Sequence, residues 1–200
     1  MQYNYEILLN PRHGWLGFWP RAGIKAVFDP ENARNFEFIV EQRCQMDNQS
    51  YVLDAGAGEQ PYRAIFEGLN YESTDMPGGF YKNKQDFECE LHDIPRPNNH
   101  YDLVLLTQVL EHVPDPHATL SEINRILKPN GKLLISVPLN GPLHGEPWHF
   151  FQFTHHGLNQ LAINSNFHIN EIEKVGGAFW FIGKRLPIAL NQILKQYDPF

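Results

Sequence analysis

The chain has few cysteines and lacks the features of secreted and membrane proteins. Its two cysteines, Cys44 and Cys89, have no metal-ligand or redox spacing, which argues against a disulfide-stabilised secreted scaffold. No run of about 18 uninterrupted apolar residues occurs, and no basic segment followed by an apolar one opens the chain. We therefore expect neither a membrane span nor a signal peptide, and we predict a cytoplasmic protein.

A basic surface stripe is also missing. The sequence has 23 Asp and Glu residues against 16 Lys and Arg, for a net charge of -7. Nucleic-acid backbones are bound by clusters of Lys and Arg, so nucleic acid is not an expected partner. With 42% hydrophobic and 20% charged residues over 200 positions, the chain fits one globular domain.

The sequence divides into three parts of this single domain. Residues 1–29, rich in aromatics, Pro and Gly, predict an irregular N-terminal arm. Residues 30–175 predict the core, and residues 176–200 an apolar helical tail. The apolar stripe of the tail indicates packing on the core or on a partner subunit, with membrane-surface association as the alternative.

Strand and helix signals alternate through the core. Strands are predicted at "YVLDA" (51), "YESTD" (71), "DFEC" (86), "YDLVLLT" (101), "KLLISVP" (132) and near 167–175. Helices are predicted from Pro30 to about Gln45, from about Pro61, after the capping residue Asp115, and near 155–164. In the first helix, Phe36, Ile39 and Val40 have the spacing of a buried face. This alternation is typical of a Rossmann-like, doubly wound, mostly parallel sheet with helices on both faces.

Two glycines follow the first core strand. Gly56 and Gly58 stand where an open parallel sheet binds its ligand, and without a Cβ they let the backbone approach that ligand closely. Asp75 ends the next strand, where an acidic residue accepts hydrogen bonds from the two hydroxyls of a ribose. Pro61 replaces the third glycine of a dinucleotide site, and an acidic loop disfavours a pyrophosphate, so a nicotinamide-dependent oxidoreductase is the weaker alternative.

Several motifs together resemble the class I methyltransferases that use S-adenosylmethionine, and among them the methyltransferase type 11 group. The motifs are "VLDAGAG", "YESTD", "ELHDIP" and the long segment "YDLVLLTQVLEHVPDPHATLSEINRILKPNGKLLISVP". They occur in order over about residues 51–161. The resemblance implies a seven-stranded type of sheet and S-adenosylmethionine as the cofactor.

The resemblance also implies a set of cofactor-binding residues. Asp54, Gly56 and Gly58 would line the methionine part, Asp75 would bind the ribose hydroxyls, and Glu90 and Leu91 would border the adenine; Thr107, Gln108 and His112 would face the cofactor from the fourth core strand. The family more often has Asp at the position of Glu90.

Three histidines are the predicted catalytic residues. A sulfonium methyl is already activated, so the protein mainly aligns a nucleophile, and a histidine base helps when that nucleophile is a hydroxyl or amine. His112 fits either a pocket wall and proton acceptor or a residue that holds its loop. His144 and His149 lie on the long loop after the central strand, where an acceptor would enter. Related sequences have an aspartate and an arginine where this chain has His149 and Gln152.

No metal site is predicted from the sequence. Although four histidines lie between positions 144 and 156, no pair has a recognised helical ligand spacing with an accompanying acid. We therefore expect an enzyme that transfers a methyl group from S-adenosylmethionine to a small-molecule or sugar- or lipid-linked acceptor. The alternative, motivated by the replacements at Glu90, His149 and Gln152, is a non-catalytic module that binds S-adenosylmethionine.

Overall fold

The computed structural model describes residues 3–5, 30–79, 81, 84–139, 141, 143–175 and the single positions 182, 183, 186 and 190. Apart from residues 3–5, the predicted arm at 1–29 lies outside the described residues. The predicted tail at 176–200 also lies outside them, apart from its four described positions, which have helical backbone.

The described residues form seven strands and three α-helices. In chain order they are β1 (Tyr3–Tyr5), α1 (Pro30–Cys44), β2 (Tyr51–Ala55), β3 (Asn70–Asp75), β4 (Phe87–Glu88), β5 (Tyr101–Thr107), α2 (Pro116–Ile126), β6 (Leu127–Ser136), α3 (His155–Asn164) and β7 (Phe167–Ile169). Single turns of 3-10 helix lie at Arg63–Phe66 and Leu110–His112. Among the described residues, no helix combines the length and the apolar content that a membrane crossing needs.

Five strands form one parallel sheet in the order β4-β3-β2-β5-β6, and β1 pairs in parallel with β7. The chain runs outward from β2 through β3 to β4, returns to β5 beside β2, and continues to β6. The strand order therefore reverses between β2 and β5, which is the switch point where ligands bind in such sheets. The predicted doubly wound parallel sheet is confirmed, and the described part of the chain holds five strands of it.

Helices cover both faces of the sheet. On one face, Phe38 and Ile39 of α1 pack with Val52 and Leu103; on the other, α2 and α3 pack against the alternate strand residues. The predicted burial of Ile39 is confirmed, but that of Phe36 is wrong, because its side chain is 37% exposed. The buried residues of α1 are instead Phe38, Ile39 and Gln42, and because Gln42 is polar, apolar spacing alone does not reveal this face.

Two predicted boundaries differ from the structure. The helix expected from about Pro61 is only the turn Arg63–Phe66, because Gly68 adopts a left-handed φ of 85° and β3 begins at Asn70. The strand expected from 132 begins at Leu127, and residues 128–131 lie inside it, where the pairing jumps from Tyr101–Leu127 to Leu103–Lys132. Such a jump is a bulge that absorbs extra residues without ending the strand.

The two later helices begin as predicted. Asp115 caps α2, its Oδ1 accepting a hydrogen bond from the Ala118 N–H at 2.9 Å, and Thr154 caps α3 in the same way through Gly157 N–H. The strand expected near 167–175 is limited to β7.

Candidate active site

The glycine loop after β2 meets the segment after β5 at the switch point. Gly56 has a φ of 74°, in the left-handed region that favours glycine. A Cβ on Gly56 would lie 2.4 Å from Cγ2 of Val109, so this position has no room for a side chain. The backbone N–H groups of Gly56 and Ala57 donate to the Thr74 carbonyl at 2.9 and 3.0 Å. The loop is therefore held between β3 and the turn after β5.

Asp54 is a buried carboxylate at the end of β2. Its Oδ2 accepts a hydrogen bond from the Tyr71 hydroxyl at 2.8 Å, while its Oδ1 is buried with no hydrogen-bond partner within the described residues. Burial raises the pKa of Asp54 to about 6; the Tyr71 hydrogen bond opposes this shift and the charge of Asp75 adds to it. A buried, acceptor-only oxygen without a donor suits a ligand group that is cationic or donates hydrogen bonds.

Asp75 joins the end of β3 to the glycine loop. Its Oδ2 accepts from the Gly58 N–H at 2.9 Å and its Oδ1 from the Met76 N–H at 2.8 Å. A carboxylate has about four acceptor sites, so two remain for a ligand. Gly58 also has a left-handed φ, 53°, and the ring of Tyr81 lies over the place of its missing Cβ.

The residues predicted to border the adenine lie next to Asp75. The N–H of Cys89 donates to the Asp75 carbonyl at 3.1 Å, which brings the segment after β4 to this edge. The Glu90 side chain is exposed there. Leu91 is buried in the hydrophobic core, so its side chain supports this segment from beneath.

Thr107 and Gln108 end β5 on the other side of the switch point. The side chains of Thr107 and Tyr62 share a hydrogen bond. Gln108 has a φ of 56°, uncommon for a residue with a side chain. Its backbone N–H donates to the Ser136 carbonyl at 2.8 Å and its amide to the Ser136 hydroxyl at 3.3 Å. The amide of Gln108 is therefore directed to the end of β6.

The three predicted catalytic histidines form one cluster, called here the histidine cluster: His112, His144 and His149. Nε2 of His112 lies 3.2 Å from Nε2 of His144. The His144 N–H donates to Nδ1 of His149 at 3.2 Å. Burial lowers the pKa of His112, and the neighbouring His144 and His149 lower it further. The long loop after β6 thus folds back onto the turn that follows β5.

Sequence reasoning missed several residues of this site. The hydroxyl of Tyr71 on β3 donates a hydrogen bond to the buried Asp54. The sequence feature that could have identified it is a tyrosine on the strand next to the one that ends near this acid. Val109 fills the space that Gly56 leaves open, a contact that no local pattern reveals. Glu111 is fully buried beside the cluster, with its Oε1 3.8 Å from Nε2 of His112.

A surface cleft of about 490 Å³ lies at the opposite end of the sheet, lined by residues such as Ser50, Asp102 and Lys132. Ser50 precedes β2, Asp102 is the second residue of β5, and Lys132 pairs with Leu103 near the start of β5, whereas ligands of open parallel sheets bind beyond the last residues of the strands. We therefore take the glycine loop as the candidate active site.

Known proteins resemble the chain in sequence and in fold. Residues 18–170 match the family model described as a methyltransferase domain. The ubiquinone/menaquinone biosynthesis C-methyltransferase UbiE of Shewanella sp. (strain W3-18-1) is 37% identical over 66 residues, covering 33% of this chain and 26% of the relative. The match thus spans about a quarter of the length of that relative.

Solved structures share the fold at low identity. The YcgJ protein of Bacillus subtilis is 14% identical, with a TM-score of 0.56 over 66% of this chain and 68% of its own. A SAM-dependent methyltransferase of Aquifex aeolicus is 20% identical, with a TM-score of 0.50 over 74% of this chain and 88% of its own. Because the family model spans more than half of the sequence, the chain belongs to the methyltransferase-domain family.

Proposed function

We propose that this chain transfers the methyl group of S-adenosylmethionine to an acceptor with a large apolar part, such as a lipid-linked intermediate. The observation that carries the proposal is the meeting of two elements at the switch point: the glycine loop with the buried Asp54, and the loop of the histidine cluster. When bound, S-adenosylmethionine supplies an electrophilic methyl group on a positively charged sulfur.

The residues on the glycine side fit this cofactor. Asp54 offers a buried carboxylate oxygen to the cationic methionine part, and Gly56 and Gly58 leave backbone room beside it. Asp75 keeps acceptor sites for the ribose hydroxyls beyond its two backbone contacts. Glu90 and Leu91 border the adenine in this proposal, and Thr107 and Gln108 close the site from β5.

The loop between β6 and α3 supports an apolar acceptor. Leu139 and Leu143 are 61% and 65% exposed, and Phe150 and Phe151 are also exposed. Large apolar side chains concentrated on one loop mark an interaction surface more often than isolated ones do. The curated relative is named for quinone biosynthesis, which agrees with an acceptor of this kind.

The histidine cluster lies where that loop meets the turn after β5. We propose that His112, His144 and His149 line the place where the acceptor atom receives the methyl group. The loop is fixed for this role because the N–H groups of Phe150 and Phe151 donate to the Glu111 carbonyl at 2.9 and 3.2 Å. Gln152, which replaces the arginine of related sequences, donates to the Gly141 carbonyl at 2.9 Å and holds the loop as well.

The first test is a calorimetric titration of the purified chain with S-adenosylmethionine and with its demethylated product. We expect saturable binding of both. Transfer of a labelled methyl group is then measured with lipid-linked acceptors and with their water-soluble head groups, and with a Leu143→Ser variant. The proposal predicts turnover that prefers the apolar acceptors and a higher KM in the variant at unchanged cofactor affinity.

The outcomes separate the proposal from its alternative. Cofactor binding without turnover on any acceptor would favour the non-catalytic module. Equal turnover of apolar and polar acceptors would contradict the apolar acceptor while keeping the methyl transfer. Absence of binding by both cofactor forms would overturn the proposal.

A further inference from the structure

Three side chains around the histidine cluster direct ligand atoms at one point. They are Glu111, His112 and His144, and one ligand atom from each lies within 4.8 Å of the other two. The Nε2 atoms of the two histidines are 3.2 Å apart, and Oε1 of Glu111 lies 3.8 Å from Nε2 of His112. Two ring nitrogens and one carboxylate oxygen are a donor set that proteins use for divalent transition metals.

The separation of the two histidine nitrogens fits a bound ion. In a tetrahedral zinc site with Zn–N bonds of about 2.0–2.1 Å, two ligand nitrogens are about 3.3 Å apart. The distance between the two histidine nitrogens is close to this value. We propose that Glu111, His112 and His144 bind one divalent transition-metal ion of the zinc class.

The hydrogen bond on the far side of the His112 ring supports this role. Nδ1 of His112 lies 2.8 Å from the carbonyl oxygen of Trp148. A carbonyl oxygen only accepts, so Nδ1 carries the proton and the neutral ring presents a bare lone pair at Nε2. Metal-binding histidines have this arrangement, with one nitrogen donating to a backbone carbonyl and the other on the metal.

His149 positions the loop and stays outside the ligand set. Its Nδ1 accepts a hydrogen bond from the His144 N–H, so its Nε2 carries the proton in the neutral ring. Its ring packs against those of His144 and His112, with centroids 4.5 and 5.4 Å away. His149 therefore holds the segment that brings His144 to His112.

The fold mounts the three ligands on two elements. Glu111 and His112 belong to the 3-10 turn that follows β5, and the Glu111 side chain is fully buried. His144 is on the loop after β6, which is tied to that turn by the Phe150 and Phe151 N–H groups. Glu111 and His112 are already held on the turn. A shift of the loop that carries His144 can therefore complete the site around an ion without moving the sheet.

Three protein ligands leave one position open, as in catalytic zinc sites. A water molecule would take that position or, if the proposed methyl transfer holds, an oxygen atom of the acceptor. This inference runs against the sequence-based expectation that the chain has no metal site. The expectation relied on helical ligand spacing, whereas His112 and His144 are 32 residues apart and meet only in the fold.

The test is a calorimetric titration of the metal-stripped chain with Zn²⁺, and the absorption spectrum of bound Co²⁺ reports the ligand geometry. We expect one ion per chain and the spectrum of a four-coordinate site. His144→Ala and His112→Ala should weaken binding at least about 10-fold. The matched control is His117→Ala, which removes an exposed histidine of α2 away from the cluster and should leave the affinity unchanged.

His144 is exposed, so we expect the His144→Ala variant to fold, and the test stays decisive even if the buried Glu111→Gln variant fails to fold. Zn²⁺ affinity that is the same in His144→Ala, or absent in the parent chain, would overturn the metal site. Cofactor titration of the same sample separates the two proposals. Cofactor binding without Zn²⁺ binding refutes the metal site alone, and Zn²⁺ binding without cofactor binding refutes the methyl transfer alone.

Discussion

The two halves of the active site are built over different distances along the chain. In the glycine half, formed by β2, its loop and the end of β3, Gly58 N–H binds Asp75 only 17 residues away. In the histidine half, His112 meets His144 across 32 residues and its ring binds the Trp148 carbonyl across 36. The first half can therefore be recognised in a short stretch of sequence, whereas the second exists only once β5 and β6 are paired.

The halves also differ in polarity. The glycine half places the buried carboxylate of Asp54 beside Gly56 and Gly58, which have no side chains, and this arrangement favours a cationic ligand. The histidine half combines three imidazole rings with a loop of exposed apolar side chains. This difference in polarity agrees with the proposed function, in which the cofactor binds in the glycine half and the acceptor in the histidine half.

The largest effect is expected where the two halves touch. Gly56→Ala would place a Cβ within 2.4 Å of Val109 at a φ of 74°. The left-handed backbone costs about 1–2 kcal/mol and the overpacking about 1–3 kcal/mol. We expect the free energy of unfolding, measured by urea denaturation, to fall by about 2–5 kcal/mol.

Gly68→Ala is the matched control for that change. Gly68 also has a left-handed φ, but nothing lies within 4 Å of its missing Cβ. The free energy of unfolding of Gly68→Ala should fall only by the cost of the left-handed backbone, about 1–2 kcal/mol. Adding Val109→Ala to Gly56→Ala should recover part of the loss; equal losses at Gly56 and Gly68 would show that the two halves are not in tight contact.

The second effect is a pH dependence that arises in the glycine half. Because the folded-state pKa of Asp54 is raised from 3.8 to about 6, its contribution to stability is present below its ordinary pKa and is lost as pH rises through about 6. The full difference corresponds to about 3 kcal/mol. Denaturation of the parent and Asp54→Asn from about pH 4 to 7 should show this loss in the parent only.

Cofactor binding should follow the opposite course. The ionised carboxylate attracts a cationic ligand, so affinity for S-adenosylmethionine should rise between about pH 5 and 7 in the parent chain. It should stay nearly flat in Asp54→Asn, which keeps an acceptor for the Tyr71 hydroxyl. The same rise in both variants would assign the titration to a group other than Asp54.

The sequence predicted the glycine half because each of its constraints is local. Asp54, Gly56, Gly58 and Asp75 follow their strands directly, and the parallel sheet brings strand ends together whatever the loops do. The histidine half was predicted only as separate residues. Sequence spacing predicts neither the contact of His112 with His144 nor the position of Glu111 beside them. Both depend on how the loop after β6 folds back onto the turn after β5.

The fold, like the site, was predicted where local sequence determines it and missed where tertiary contacts do. The bounds of β2, β5 and α3 agree with the sequence pattern because each is an apolar run or a capped segment. The sequence pattern did not predict the shortening of the helix near Pro61 or the bulge in β6, because contacts with other elements of the fold determine both. Gly68 and the start of β3 left room for one turn, and pairing with β5 absorbed residues 128–131.

The smallest expected effect compares carboxylates at the two ends of the sheet. Asp75→Ala removes an acceptor from the Gly58 and Met76 N–H groups and, in the proposed function, from the ribose hydroxyls. Losing a charged acceptor costs about 1.5–3 kcal/mol, so affinity for S-adenosylmethionine should fall roughly 10- to 100-fold in calorimetry.

Asp102→Ala is the control, because Asp102 accepts from the Tyr51 N–H and from Lys128 at 2.8 and 2.7 Å at the start of β5. It should lower stability and leave affinity unchanged. If both variants lost affinity equally, the effect would be one of folding; if Asp75→Ala kept full affinity, the ribose would be bound elsewhere and the glycine half would serve only the methionine end.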